Sequence, residues 1–335
     1  MTALVVAGFH RSGTSSVAQI LDSYGISLGE DLVKGNEFNS FGHFESRLAV
    51  NFHDNVLKRV GADWSTELDT PIAFTFQEEQ WVRNYADQRD NGSSVWGLKD
   101  PRMCRFMHQW KNLITNMKFI IVYRSPADAC QSMNRRENLE MARSGDTDKC
   151  ARRFYRDPDL ALKLWVEHNR HLVALQRDFP EDCLVLGHHH LLMGYPMMPG
   201  LERRFGIHTA KTPDHTTIDP NAISKKVKRL FVTDPSLIDE TLEVWRSLEV
   251  EDVALINGQP SMDITSSFEH DPTGSNARND MAEIQLTKLY EQQANFQELL
   301  KLAKPIIRRI SKPPLSFYFN NRKKYRDLIE RISRQ

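Results

Sequence analysis

The sequence predicts a three-layer α/β fold with a central parallel sheet, continued by a helical C-terminal extension. Three observations carry this. Short apolar runs at Leu4–Ala7, Val95–Leu98, Lys118–Tyr123 and Cys183–Gly187 alternate with segments of helical length. Strands that alternate with helices form a parallel sheet covered on both faces. A glycine-bounded loop, Gly8 to Gly13, joins the first run to a helix. Cations stand directly after two other runs, at Lys99 and Arg124. Ligands of such sheets bind beyond the carboxyl ends of the strands, so these three places should share one edge.

The elements follow in order. Leu4–Ala7 reads as a buried strand, and Ser15–Tyr24 as the helix after the loop. Gly25–Gly42 is dotted with glycine and reads as a long loop, a length that usually signals function or disorder. Helices are expected at Ser46–Val60 and Glu78–Arg89, with loop at Trp64–Thr75 between them. Pro126 suits the first turn of a helix running from Ala127 to about Arg143. Asp159–Arg177 carries Leu160, Leu164, Trp165, His168, Leu172 and Leu175 at helical spacing. Further helices are expected at Asn221–Phe231 and Ser236–Leu248. Residues 257–280 hold Asn-Gly and Asp-Pro-Thr-Gly turn chemistry and read as a linker. This divides the chain into a main domain at 1–256, the linker, and an extension at 281–335. In the extension, Leu286, Leu289, Phe296, Leu300, Ala303 and Ile307 keep a 3-4 spacing, interrupted at Pro305. A helix docked on the main domain is favoured over a coiled coil.

Composition sets limits. The 335 residues are 40% hydrophobic and 26% charged, with zero formal net charge. That is ordinary for a globular protein and gives no global bias toward nucleic acid or membrane. Cys104, Cys130, Cys150 and Cys183 are scattered, with no C-x-x-C pair, which fits a reducing compartment and no zinc knuckle. The start leads straight into the first strand without a leader-like segment, and no apolar run reaches spanning length, so a cytoplasmic setting is expected. Residues 304–335 carry ten cations and two anions, a net of +8 that leaves −8 for the rest. A solvated basic helix is the default reading. The sharper one is peripheral contact with an anionic surface.

The loop Gly8-Phe9-His10-Arg11-Ser12-Gly13-Thr14-Ser15-Ser16 resembles a phosphate cradle in its strand-loop-helix order. Backbone N–H groups and a helix N-terminus both direct positive charge at an anion there. Gly8 and Gly13 have the P-loop separation, and Ser15 sits where a metal-binding hydroxyl would stand. The lysine position holds Thr14, however, and a new cation, Arg11, lies inside the loop. Arginine presents a planar fork suited to phosphate or sulfate oxygens. The loop therefore reads as a P-loop-like anion site without the magnesium triphosphate geometry.

These residues resemble the 5′-phosphosulfate loop of sulfotransferases that use 3′-phosphoadenosine-5′-phosphosulfate (PAPS), above all the bacterial G-x-H-R-S-G-T-S form. Three further segments resemble the family in order. Phe119 to Ser132 resembles the strand, arginine and serine signature. Trp96 to Arg102 resembles the K-D-P segment, and Gly42-His43-Phe44-Glu45 the G-x-x-E segment. The resemblance implies that Arg11, Ser12, Gly13, Thr14, Ser15 and Ser16 hold the 5′ end of PAPS. It implies that Arg124 and Ser132 hold its 3′-phosphate. Sulfuryl transfer to a hydroxyl acceptor would follow, without metal. Transfer of this kind needs positioning and charge stabilisation more than covalent catalysis. Arg11 and Lys99 are the candidate cations. Glu45 is the preferred base by resemblance, and His43, His53 and His10 are rivals by their near-neutral titration. His188-His189-His190 reads as structural: consecutive histidines on a strand point to opposite faces, with no adjacent ligand. The competing readings are a P-loop small-molecule kinase and a nucleotide-binding module without catalysis. The missing lysine argues against the kinase.

Overall fold

The computed structural model describes residues 1–35, 42–68, 70–89, 94–144, 149–209, 211, 229–278, 281–282, 291 and 295. Four parallel strands form the central sheet in the order β2-β1-β3-β4: β1 Thr2–Ala7, β2 Val95–Lys99, β3 Met117–Tyr123 and β4 Cys183–Gly187. The register sets Val6 beside Lys99 and Ile120, and Tyr123 beside Gly187. All four carboxyl ends therefore lie along one edge.

Alternation along each strand builds two cores. Ala3, Val5, Ala7, Phe119, Ile121 and Tyr123 face one cluster, and Leu4, Val6, Ile120 and Val122 face the other. Both faces are apolar, as a sheet between two helical layers requires. The first cluster is covered mainly by α2 (Arg47–Arg59), α3 (Phe76–Arg89), α4 (Met107–Leu113), α5 (Pro126–Ser144), α7 (Leu160–Asp178) and α10 (Pro235–Val250). The second lies under α1 (Thr14–Ser23), α9 (Met197–Phe205) and the short α11 (Val253–Ile256). Ser46 caps α2 by accepting from Ala49 N at 3.4 Å. Asp234 and Asp252 cap α10 and α11 in the same way, a role suited to short acceptor side chains.

The expected helices at 46–60, 78–89, 127–143, 159–177 and 236–248 form within two residues of their bounds. Several readings are corrected. His188–Leu192 is a short helix, α8, so the three histidines are one helical turn and not an extended strand. α6, Lys149–Arg156, was not anticipated. Of the helix expected at 221–231, residues 221–228 lie outside the described residues. Leu230–Val232 is a strand, β5, whose first and last residues are buried. β5 pairs in parallel with β6, Phe268–His270, inside the segment read as linker. Ile264, Ser267 and Asp271 are buried there, so this stretch folds onto the body instead of bridging away from it. The extension and its basic tail lie outside the described residues, apart from 281, 282, 291 and 295. No described helix is long and apolar enough to cross a membrane.

Trp165 on α7 is fully buried, and its Nε1 donates to the Arg124 carbonyl at 3.2 Å. Trp165→Phe keeps most of the ring but orphans that carbonyl, so urea unfolding should show a loss of about 2 kcal/mol.

Candidate functional site

The loop after β1 turns twice through the left-handed region, at Arg11 (φ 65°) and Gly13 (φ 89°). Ser12 N closes the first turn on the Phe9 carbonyl at 3.1 Å. Left-handed residues flanking Ser12 fold the backbone into a concave nest of N–H groups. α1 starts directly after this turn, with Ser16 N donating to the Gly13 carbonyl at 3.0 Å, and a helix N-terminus favours an anion. Ser12 is fully buried, and its Oγ has no hydrogen-bond partner among the described residues. A buried orphan hydroxyl beside a nest fits an anion with several oxygens.

The two glycines are required by close approach. A Cβ on Gly8 would stand 2.5 Å from the Val122 carbonyl oxygen, and one on Gly13 would stand 2.0 Å from His188 Cδ2. The first contact locks the loop to β3, and the second locks it to the start of α8.

The loop and the β3 edge meet directly. Arg11 Nε donates to Ser132 Oγ at 2.9 Å, and Arg124 Nη1 donates to the Arg11 carbonyl at 3.1 Å. Burial pulls the Arg11 guanidinium down to about 10, helped by Arg136 and Arg124, and burial also lowers Arg124. A site crowded with like charge has this signature. A cleft of about 340 Å³ adjoins Arg124. Ser125, Asp128, His188, His189, Pro260, Ser261 and Met262 are among the residues that line it.

At the β2 edge, Lys99 is 3% exposed, and its Nζ donates to Glu45 Oε1 at 2.6 Å and to the His43 carbonyl at 3.0 Å. An ammonium has three protons; these contacts use two. Arg102 Nη1 lies 3.9 Å from the other Glu45 oxygen. Arg102 is itself fixed by Asp54 (Nε, 2.6 Å) and Asp100 (Nη1, 3.1 Å). Asp100 is fully buried and also accepts from the Arg102 N–H at 3.0 Å. Its second oxygen meets His53 Nδ1 at 2.8 Å. Burial pushes the Asp100 carboxyl up, but Arg102 and His53 more than offset this and hold it below the usual range. The Arg102 guanidinium is raised against its own burial by Asp100, Asp54 and Glu45.

Two of the rival bases lose their role here. His53 is fully buried, and Trp110 Nε1 donates to its Nε2 at 3.1 Å, so both ring nitrogens are engaged. His10 is buried between Trp64 and His168, and burial drives it well below its ordinary value. His43 is half-buried and lowered mainly by burial, and it stands beside Glu45. The structure thus brings together Arg11, Ser12, Gly13, Thr14, Ser15, Ser16, Lys99, Glu45, Arg124 and Ser132 along one edge. The sequence reading gave no role to Arg102, to Asp100 or to the Pro260–Met262 wall. A signal existed for His53, which follows Ala49 by four residues and precedes Leu57 by four on the buried face of α2.

No family model matches the chain, and no curated protein does. A solved crystal structure, a sulfotransferase from Alicyclobacillus acidocaldarius, aligns with it at 14% identity and a TM-score of 0.42. The alignment covers 78% of this chain and 97% of that one.

Two outcomes test the geometry. Gly13→Ala combines a left-handed backbone with a clash on His188, and anion binding measured by calorimetry with adenosine 3′,5′-bisphosphate should be lost. Asp100→Asn leaves Arg102 and His53 without their shared carboxylate, and breaking a buried pair of this kind costs about 3–5 kcal/mol. The folded Asp100 titrates below its unfolded value of about 3.9, so its stabilisation is full above that pH and fades as pH falls. Urea midpoints of the wild type should drop as pH is lowered below about 4, and the Asn variant should have lost that component of the slope.

Proposed function

We propose that the chain is a PAPS-dependent sulfotransferase acting on a hydroxyl acceptor. The observation that carries this is the junction of Arg11 with Ser132 and Arg124. It unites a phosphosulfate-type loop with a second anion site over 110 residues away in sequence. A donor bearing anions at both its 5′ and 3′ ends needs two such sites at a fixed separation. The buried Ser12 hydroxyl and the nest around it fit the 5′ end. Arg124 and Ser132 fit the 3′-phosphate, and the adjoining cleft fits the nucleoside.

When bound, PAPS supplies an activated sulfuryl group. Its sulfur–oxygen bond to phosphate breaks as a bond to the acceptor oxygen forms, and adenosine 3′,5′-bisphosphate leaves. Arg11 stabilises the charge that develops on the leaving phosphate. Lys99 offers its remaining ammonium proton to the peripheral sulfuryl oxygens. Preorganised cations in a water-poor site are often the largest catalytic contribution. Glu45, paired with Lys99 at 2.6 Å and 3.9 Å from Arg102, accepts the acceptor's proton. The kinase reading loses a further support. The acidic residue at the end of β2, Asp100, spends its oxygens on Arg102 and His53.

Calorimetry provides the test. Adenosine 3′,5′-bisphosphate should bind about tenfold to a hundredfold tighter than 5′-AMP, the value of one charge-assisted hydrogen bond. Arg124→Ala should erase most of that difference; equal affinities in the wild type overturn the assignment. Glu45→Gln should retain nucleotide affinity while release of the bisphosphate product, assayed across phenolic and sugar acceptors, slows by on the order of 10²–10⁴. Turnover that disappears with EDTA and returns with magnesium favours the kinase instead.

A further inference from the structure

Arg136 has no part in the chemistry above, yet it is joined to the loop that carries it. Ser132 and Arg136 are four residues apart on α5 and share one face of that helix. Ser132 meets the loop through Arg11 Nε at 2.9 Å. One turn further along, the Arg136 guanidinium lies over the Trp64 ring, 5.1 Å from its centroid. Trp64 in turn packs on His10 of the loop, with ring centroids 4.7 Å apart. Trp64, His10 and Arg136 are absent from the lining of the cleft beside Arg124, so they form a separate group next to the loop.

The mounting of this guanidinium leaves one edge over. Nε donates to Glu137 Oε1 at 2.6 Å, and Nη2 lies 2.6 Å from the same oxygen. Nη2 also donates to Met133 Sδ at 3.3 Å. Among the described residues, no contact is made by Nη1 and its two protons. The Arg136 side chain is 23% exposed, whereas its partner Glu137 is buried. Trp64 is a firm support: Arg105 donates to the carbonyls on either side of it, Asp63 at 3.3 Å and Thr66 at 2.6 Å. A planar fork held on a ring face and on a carboxylate loses little freedom when it takes another anion.

The candidate base lies in the field of the same cation. Burial lowers His43, two residues before Glu45, and Lys99, Arg136 and Arg11 lower it further against the pull of Glu45. Burial also lowers His10, and Arg136 leads the charges that add to it. An acceptor whose hydroxyl reaches Glu45 therefore comes within range of Arg136.

We infer that Arg136 is a specificity-determining residue of the acceptor site: its Nη1 edge, mounted on Trp64 and Glu137, takes a carboxylate or sulfate carried by the acceptor, so the favoured hydroxyl substrate is an acid. This rests on the reading of the loop as the sulfuryl donor's site. Arg136 makes and breaks no bond; it fixes the end of the acceptor remote from the reacting oxygen. Sugar acids and phenolic acids share this chemistry.

Two pairs of probes differ only at the acidic group: glucuronate against glucose, and 4-hydroxyphenylacetate against 4-hydroxyphenylacetamide. Full-length protein saturated with adenosine 3′,5′-bisphosphate is titrated with each, followed by tryptophan fluorescence. At least one acid should bind about tenfold tighter than its neutral partner, the worth of one charge-assisted hydrogen bond. Which acid it is separates the sugar source from the phenolic one. In Arg136→Gln the acid should lose this advantage while the neutral partner keeps its affinity. That variant leaves Glu137 buried without its cation, so the double variant Arg136→Gln/Glu137→Gln, which removes both charges, should give the same result in a protein with no orphaned carboxylate. With PAPS supplied, KM for the acid should rise about tenfold in either variant while kcat holds. Equal affinity of acid and neutral probes in the wild type, or no binding of either acid, overturns the inference. So does a loss that strikes acid and neutral probes alike, which marks a merely structural residue. If the bisphosphate itself does not bind, the donor reading fails, and the same titrations without it still decide whether Arg136 holds an acid.

Discussion

The position of β1 between β2 and β3 is the constraint from which the site follows. The register sets Lys99 level with Val6, so the end of β2 lies two residues short of the loop. It also brings the Val122 carbonyl over Gly8 so closely that no side chain fits between them. The loop has no freedom to lift from the sheet, and its second glycine is closed against His188, which follows β4. One turn is thereby in contact with the ends of both β3 and β4. The candidate anion-binding groups, from distant stretches of chain, need no further device to meet.

The positive charge of this edge is managed in two ways. Arg102 is surrounded by Asp54, Asp100 and Glu45, and these partners raise it against its burial. Arg105 is likewise anchored, on Glu167 at 2.8 Å. Such pairs hold loops together at little net gain in stability. Arg11 is lowered first by its burial and then by the Arg136 and Arg124 guanidinium groups near it. Guanidinium groups crowded together in a buried place repel one another, and an anion between them would relieve that repulsion.

The four sheet strands were legible because each is a short, nearly unbroken apolar run, which buried parallel strands require. The loop was legible because two glycines at fixed separation, with an arginine between them, have few structural uses. The pairing of Glu45 with Lys99 was not readable from spacing, since the two are 54 residues apart on different elements; only the resemblance set them together. The smaller elements escaped for want of length. α8 has five residues and β5 and β6 three each, too few for any periodicity to show. Nothing in the sequence around Asp252 marks it out from any other aspartate. That it collects donors from β3, α8 and the end of β4 depends on tertiary packing alone.

Arg11 occupies a backbone region that suits glycine or asparagine, at a strain of order 1–3 kcal/mol. Relief is one substitution away, and either replacement would remove the guanidinium that reaches Ser132. Position 11 is thus a place where selection for robustness and selection for chemistry oppose each other. A laboratory search for heat-tolerant variants would be drawn to this residue and would gain stability there by discarding the cation that the loop is built to present.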